Sequence, residues 1–339
     1  MMFQKTILIV GFGSIGKRHT NNILKQTNSN ILILSKRKNI PTQEFYNYNI
    51  NKSRIKFFSN LNDCLNEIPE VAFITNETSF HVNIAIKLAK QKIHLFIEKP
   101  LSNSLAGINL LLSKLKKQKL ITQIGCNLRF HPCIQKIKEM LLKNKIGNVY
   151  SIHIENGSFL PDWHPNEDYK KSYAAQQKMG GGVVLTCIHE IDYLYWFFGK
   201  IHEVFSITTK LSDLKIDCED SSSILMKVGK NTIAEIHLDY YQQPPERSCK
   251  IIGSLGTMIW NFESNTLKFY DSKKKIWTTI LKLKKYDYNQ MYVDELSHFI
   301  DCIKSKKTTI NPISDGVQVL KIALAVKKSS KIKKMIKIK

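Results

Sequence analysis

Several things this chain of 339 residues lacks narrow its class before any motif is read. Acid is scarce: 28 Asp and Glu stand against 51 Lys and Arg, a net charge of +23. Cysteine is sparse and scattered. The seven (Cys64, Cys126, Cys133, Cys187, Cys218, Cys249, Cys302) are odd in number and none forms a Cys-x-x-Cys pair. Neither a disulfide framework nor a zinc knuckle is indicated. No apolar run approaches the roughly 18 residues of a membrane-spanning helix. Met1 to Val10 is too short, and too soon interrupted by Gly11, to read as a signal peptide. These absences lead us to expect a cytoplasmic protein with no membrane insertion.

The positive charge raises the question of nucleic acid. The lysines, however, run along the whole chain and concentrate only at Lys327 to Lys339. No helix-turn-helix, zinc finger or RNA-binding aromatic motif accompanies them, so no nucleic-acid partner is expected. The field can still draw an anionic substrate.

The length is more than one core usually serves, and two domains are expected. Thr6 to Val10 has the short, β-branched signature of a buried strand. Gly11-Phe12-Gly13-Ser14-Ile15-Gly16 follows at once, with helix-forming sequence from Lys17. A G-x-G-x-x-G between strand and helix is a dinucleotide-binding turn, in which backbone N–H groups and the helix N-terminus receive a pyrophosphate. The second strand, Ile31 to Leu34, ends in Ser35-Lys36-Arg37-Lys38. An acid is usual there, where it takes the ribose hydroxyls of NAD. A hydroxyl and an arginine suit a 2′-phosphate instead. NADP(H) is therefore the expected cofactor, with NAD(H) possible if Arg37 only stacks on adenine.

The alternation continues through Val71 to Ile74, the Thr75-Asn76 turn, a helix carrying His81 in its first turn, and the strand Ile93 to Ile97. That strand delivers Glu98-Lys99-Pro100 to the sheet rim where ligands of open α/β sheets bind. With a helix over 105–118 and a last strand, 121–126, residues 1–126 read as a doubly wound, parallel nucleotide domain. Beyond it come a helix over 134–142, a strand near 149–154, a long polar and aromatic loop, and Gly180-Gly181-Gly182 leading into one helix over 183–198. Alternating runs between 201 and 280 predict a large, mainly antiparallel sheet. Two helices, 292–304 and 315–328, close the chain and can pack back on the first domain.

The glycine turn, Thr75-Asn76 with His81, Glu98-Lys99-Pro100, Gly180-Gly181-Gly182 with His189, and the closing Asn311-Pro312-Ile313-Ser314-Asp315-Gly316 occur in that order. Together they resemble the glucose-fructose oxidoreductase / inositol dehydrogenase / rhizopine catabolism family (Gfo/Idh/MocA). Leu160-Pro161-Asp162-Trp163 and His189-Glu190-Ile191-Asp192 resemble a branch associated with bacterial surface sugars. The resemblance implies a Rossmann domain followed by an α+β domain, 127–339, that serves substrate binding and, through its open sheet, oligomerisation to a dimer or tetramer. It also implies NAD(P)-dependent hydride transfer at a hydroxyl or carbonyl carbon of a sugar, nucleotide-sugar or cyclitol.

Residue by residue, the resemblance makes Lys99 the group that hydrogen-bonds the reacting oxygen and His189 the acid/base. Gly11, Phe12, Gly13, Ser14, Ile15, Gly16, Ser35, Arg37, Thr75, Asn76, His81, Glu98 and Lys99 become cofactor-binding candidates. Glu98 is expected to orient backbone or nicotinamide. Asp192, one turn after His189, supports either that histidine or the fold, and it stands with Arg129, His131, Trp163, Tyr169 and Thr186 among the substrate-binding candidates. Thr186 stands where many members carry an aspartate, and threonine can hydrogen-bond but not hold charge. Arg129 and His131 follow the last Rossmann strand; Arg129 can bind cofactor or a substrate anion, or form a salt bridge at a domain interface. Trp163 and Tyr169, with His164 and Asp168, can stack on and hydrogen-bond a sugar, or pack on another subunit. Tyr240, Tyr241 and Arg247 form a weaker third cluster. No metal is expected, because His189 and Asp192 lack a third ligand at suitable spacing. Two alternatives stay open: an epimerase or eliminase that recycles its cofactor, and a non-catalytic NADP(H)-binding sensor.

Overall fold

A computed structural model describes residues 3–35 and 52–338. In chain order the first elements are β1 (Thr6–Val10), α1 (Ser14–Gln26), β2 (Asn30–Leu34), β3 (Ile55–Phe58), α2 (Leu61–Asn66), β4 (Val71–Ile74), α3 (His81–Lys90), β5 (His94–Glu98), α4 (Ile108–Gln118) and β6 (Thr122–Gly125). There follow α5 (Pro132–Leu142), β7 (Val149–Gly157), α6 (Val183–Thr186), α7 (His189–Phe198), β8 (Ile201–Thr209), β9 (Ser221–Val228) and β10 (Thr232–Asp239). The chain continues through β11 (Glu246–Gly253), β12 (Gly256–Asn261), β13 (Thr266–Asp271), β14 (Ile276–Lys282), α8 (Gln290–Ser305), α9 (Ile313–Ile332) and β15 (Ile336–Lys337).

Two compact units result: Met1–Gly125 with Asn289–Val317, and Cys126–Tyr288 with Gln318–Lys339. The first unit holds a parallel sheet in the order β3-β2-β1-β4-β5-β6. Its central strands are apolar on both faces, as strands covered by helices on each side must be. Phe73, Phe96, Ile7 and Ile9 pack with Leu296 and Phe299 of α8. The strand order reverses between β1 and β4, which is the switch point where such sheets open a crevice.

The second unit holds nine strands in the order β14-β13-β12-β11-β7-β10-β9-β8-β15. Neighbours are antiparallel except β7 and β10. Along β9 and β10 buried and exposed residues alternate, so one face carries the core and the other is open. The open face is not polar throughout: Ile207, Leu225 and Ile233 are exposed on it.

The structure departs from the sequence reading in two places. β3, β13 and β14 were not foreseen, because their short, lysine-interrupted runs lack clean alternation. The single helix expected over 183–198 is two: α6 ends at Thr186, and α7 begins at His189 after a turn at Cys187 and Ile188. Thr186 and His189 therefore do not share one helical face. Arg37 lies outside the described residues.

Candidate functional site

In the first unit the site begins at the switch point. Gly11 adopts φ +95° as β1 ends, and a Cβ there would stand 2.7 Å from the Asn76 backbone nitrogen. At Gly16 a Cβ would stand 2.3 Å from the Gly11 carbonyl oxygen and 2.9 Å from Thr75 Oγ1. Side chains at either position would push apart the β1–α1 turn and the turn after β4. Thr75 Oγ1 stitches them together, 3.0 Å from the Val10 carbonyl and 2.8 Å from that of Gly11. At Gly13 a Cβ would meet open space.

Gly13 is also the N-cap of α1; no side chain caps the helix, and its first turn carries no acid. The first N–H groups of this helix are thus left to a ligand, with the positive end of the helix dipole behind them. Open space over a glycine, uncapped donors and no competing carboxylate fit the pyrophosphate of a dinucleotide. Ser35 follows β2 as expected and is half-buried.

Behind this turn two buried histidines hold the segment after β5. His19, on the inner face of α1, places Nε2 2.7 Å from Glu98 Oε1. The other oxygen of Glu98 accepts the Lys99 N–H at 3.2 Å. His81 opens α3 with Nε2 2.8 Å from the Asn76 carbonyl and Nδ1 3.0 Å from the Pro100 carbonyl. Burial holds its imidazole below the ordinary range, against the opposing pull of the two carbonyls and of Glu98 and Glu77. His81 was expected to touch cofactor; its ring instead lies between the Asn76 and Pro100 carbonyls, and the one N–H of its neutral form donates to one of them. The Lys99–Pro100 peptide is cis. Tyr292, on α8, has its hydroxyl pushed up to about 12, mainly by burial and then by the Glu98 charge, while Arg18 and Lys99 act in the other direction.

In the second unit, the three glycines have a packing reason. Gly182 has φ +102°, and a Cβ there would lie 2.4 Å from Glu219 Oε1; at Gly181 it would lie 2.3 Å from the Tyr173 carbonyl oxygen. The chain passes between Glu219 and the 173–175 turn, and only then starts α6. His189 is 9% exposed and Thr186 2%. The Thr186 hydroxyl interacts with that of Tyr240, whose ionisation burial pushes well up.

Arg129 and Asp192, expected at substrate, are buried and bonded to each other. Arg129 donates from Nε to Oδ2 at 2.9 Å and from Nη2 to Oδ1 at 2.8 Å, a bidentate pair. His131 is likewise buried, and its role is structural: Nδ1 accepts the Cys133 N–H, capping α5, and Nε2 sits 3.3 Å from Asn265 Oδ1. Burial holds its imidazole down at about 4. Trp163 donates from Nε1 to Ser158 and meets the edge of Tyr240. The Tyr169 hydroxyl accepts the Lys215 N–H. The loop that carries them is built of successive short 3-10 turns, and Trp163 and Tyr169 are partly exposed.

Two features escaped the sequence reading. His19 stands three residues after Gly16, on the same buried face as Ile23, and that spacing was available. The fully buried Glu190 pairs with Arg247 Nε at 3.0 Å and accepts from Asn156 at 3.4 Å. No local pattern announced that cluster, because its members come from α7, β11 and β7.

Comparison with known proteins agrees with this geometry. Residues 5–126 match the model described as the oxidoreductase family with an NAD-binding Rossmann fold, and residues 134–259 match the Gfo/Idh/MocA C-terminal domain. Myo-inositol 2-dehydrogenase of Thermotoga maritima is 25% identical over 344 residues, covering 97% of each chain. Among solved structures, levoglucosan dehydrogenase in complex with NADH superposes with a TM-score of 0.88 at 15% identity, over 99% of this chain and 100% of that one. UDP-N-acetylglucosamine 3-dehydrogenase from Acidithiobacillus ferrooxidans does so at 0.79 and 18%, over 98% and 99%. A Rossmann sheet with an open glycine turn at its switch point, joined to a large mixed sheet and matched in both halves, makes this chain a member of the Gfo/Idh/MocA family of oxidoreductases.

Proposed function

We propose that the protein is an NAD(P)-dependent dehydrogenase or reductase acting on a CH–OH carbon of a sugar, nucleotide-sugar or cyclitol. The observation that carries this reading is Lys99, set at the end of β5 beside the switch-point turn by buried contacts with both of its neighbours. The nicotinamide, when bound, supplies or accepts the hydride. Lys99 hydrogen-bonds the reacting oxygen, and His189 exchanges the hydroxyl proton. The amide N–H groups from Gly13 to Gly16 hold the pyrophosphate, and Phe12, Thr75 and Asn76 border it. Residues 1–126 serve as the nucleotide domain, with 289–317 packed back on it, and the rest of 127–339 as the substrate domain. Trp163 and Tyr169, with polar tips and apolar rings, line the sugar side together with Thr186.

Ser35 and Arg37 favour NADP(H) over NAD(H), since neither repels a 2′-phosphate. The open face of the second unit's sheet, with its groove among Phe205, Ile207 and Leu225, is the surface through which copies of the chain assemble.

Energy transfer from protein tryptophan to NADH and NADPH tests the cofactor reading; failure to bind either nucleotide would falsify it. Substrate is sought with myo-inositol, levoglucosan and UDP-N-acetylglucosamine as the first panel, followed at the nicotinamide absorbance. Lys99→Ala should lower turnover by about 100-fold or more while nucleotide affinity stays within a few fold. Undiminished turnover would move the chemistry to another group. Arg37→Asp should shift the preference from NADPH towards NADH.

A further inference from the structure

We propose that His19 is a positioning residue for Lys99, acting through Glu98, and that it links the helix opening at the cofactor turn to the reacting lysine. The proposal rests on the reading of Lys99 given above. His19 is 1% exposed. Its ring lies among Phe73, Phe96 and Tyr292, with centroids 5.2, 4.9 and 6.0 Å away. The packing leaves it little room to turn. Among the described residues Nδ1 has no hydrogen-bond partner, so Nε2 is the ring's polar tie. That tie goes to Glu98 Oε1 at 2.7 Å, the short distance of a bond to a carboxylate.

Glu98 is held as closely. A Cβ on Gly125 of the neighbouring strand would stand 2.9 Å from the Glu98 carboxyl carbon, so nothing larger than glycine fits beside it. With one oxygen on His19, the other is aimed at the Lys99 N–H. A carboxylate gripped by a rigid donor fixes the backbone from which the lysine side chain projects. His81 lies against the carbonyl of Pro100 from the other side. The two histidines differ in what they anchor to: His81 lies between two turns, whereas His19 belongs to the helix whose N-terminus receives the pyrophosphate. A shift of α1 on nucleotide binding would therefore be transmitted to residue 98.

The test uses the full chain with His19→Leu, which fills the space but cannot donate, and His19→Gln, which restores a neutral N–H donor. Trace acetylation with acetic anhydride, read peptide by peptide, reports the reactivity of the Lys99 amine with no substrate needed. In His19→Leu the Lys99 rate should change by about threefold or more relative to surface lysines such as Lys116 and Lys117. His19→Gln should restore it. With a substrate from the panel, His19→Leu should lower kcat by about 10–100-fold with KM nearly unchanged, the cost of misplacing a reacting group.

An unchanged Lys99 rate in a folded, NADH-binding His19→Leu protein would overturn the proposal. If that variant does not fold, Glu98→Gln takes its place, and an unchanged rate there overturns it equally. A changed labelling rate alongside undiminished turnover in Lys99→Ala would leave the brace standing and sink the catalytic reading instead.

Discussion

The two units treat their charged side chains in opposite ways. In the first, Glu98 and Lys99 lie at a strand end, and buried neighbours fix their backbone. In the second, Arg129 and Asp192 satisfy each other in the interior, and His131 caps a helix. All of these residues had looked like site residues. The difference lies in what each inference stood on. The glycine turn and the strand-end lysine are backbone signals: a tight turn at a switch point can do little else. Arg129 and Asp192 were chosen by side-chain type, and an arginine beside a presumed crevice looks the same whether it faces a ligand or an internal acid.

The largest effect expected from breaking this contrast is at the turn itself. Gly16→Ala puts a methyl 2.3 Å from the Gly11 carbonyl oxygen, where only a backbone shift can accommodate it. NADH affinity should fall by about 100-fold or more, because several phosphate-facing N–H groups move together. Titration of tryptophan-to-NADH energy transfer measures it. Affinity retained within a few fold would mean that the turn is not the pyrophosphate site.

Next comes the buried pair. Arg129→Met removes the bidentate partner of the buried Asp192 carboxyl, at a cost of about 3–5 kcal/mol. That corresponds to a fall of about 10 °C in Tm for a unit of this size. Adding Asp192→Leu should recover much of the loss, since two apolar residues need no partners. If Arg129→Met instead raised substrate KM at unchanged Tm, Arg129 would return to the site.

The fold was legible where the pattern was local. β1, β4 and β5 are continuous apolar runs, and the glycine turn fixed the order of strand and helix around it. In the second unit β9 and β10 showed the alternation of a half-covered sheet. The missed strands β13 and β14 lie towards the edge, where solvent on more sides relaxes the pattern. The break between Thr186 and His189 was hidden because Cys187 and Ile188 continue an apolar helical period although the backbone turns there. The Glu190–Arg247–Asn156 cluster needed three elements brought together in space. His131 could have been read: it stands immediately before Pro132, and proline at the first helical position marks the residue before it as a cap.

His131 yields a prediction of middle size in pH. Its folded value, about 4, lies below the ordinary 6.5 because burial disfavours the charged ring. Between those values the unfolded chain holds a proton that the folded chain does not. The stability is therefore complete above pH 6.5 and is lost as the pH falls towards 4, by about 3 kcal/mol for this residue. His131→Asn keeps an acceptor at the N-cap and removes the titration. Unfolding midpoints from pH 7.5 to 4.5 should fall less steeply in the variant. His81, His94 and His298, also held low by burial, supply a remaining slope. An identical slope in both proteins would show that His131 is not buried neutral.

The smallest effect sharpens the same contrast from the surface. Glu139 accepts from Lys136 at 2.8 Å and from Lys143 at 2.6 Å along α5, and these bonds hold its carboxyl down at about 2. On paper this arrangement resembles the Arg129–Asp192 pair: an acid held by cations at hydrogen-bonding distance. The Glu139 side chain is exposed to water, so the charges would be solvated without each other, and two long lysines must be ordered to make the contacts. Its contribution is present above the ordinary carboxylate pKa and is lost as pH falls through about 2. Glu139→Gln should move Tm by no more than about 2 °C at neutral pH, and added salt should shrink even that difference. If it destabilised the protein as much as Arg129→Met does, burial would not be what separates the two pairs, and the assignment of Arg129 to the scaffold would lose its physical basis.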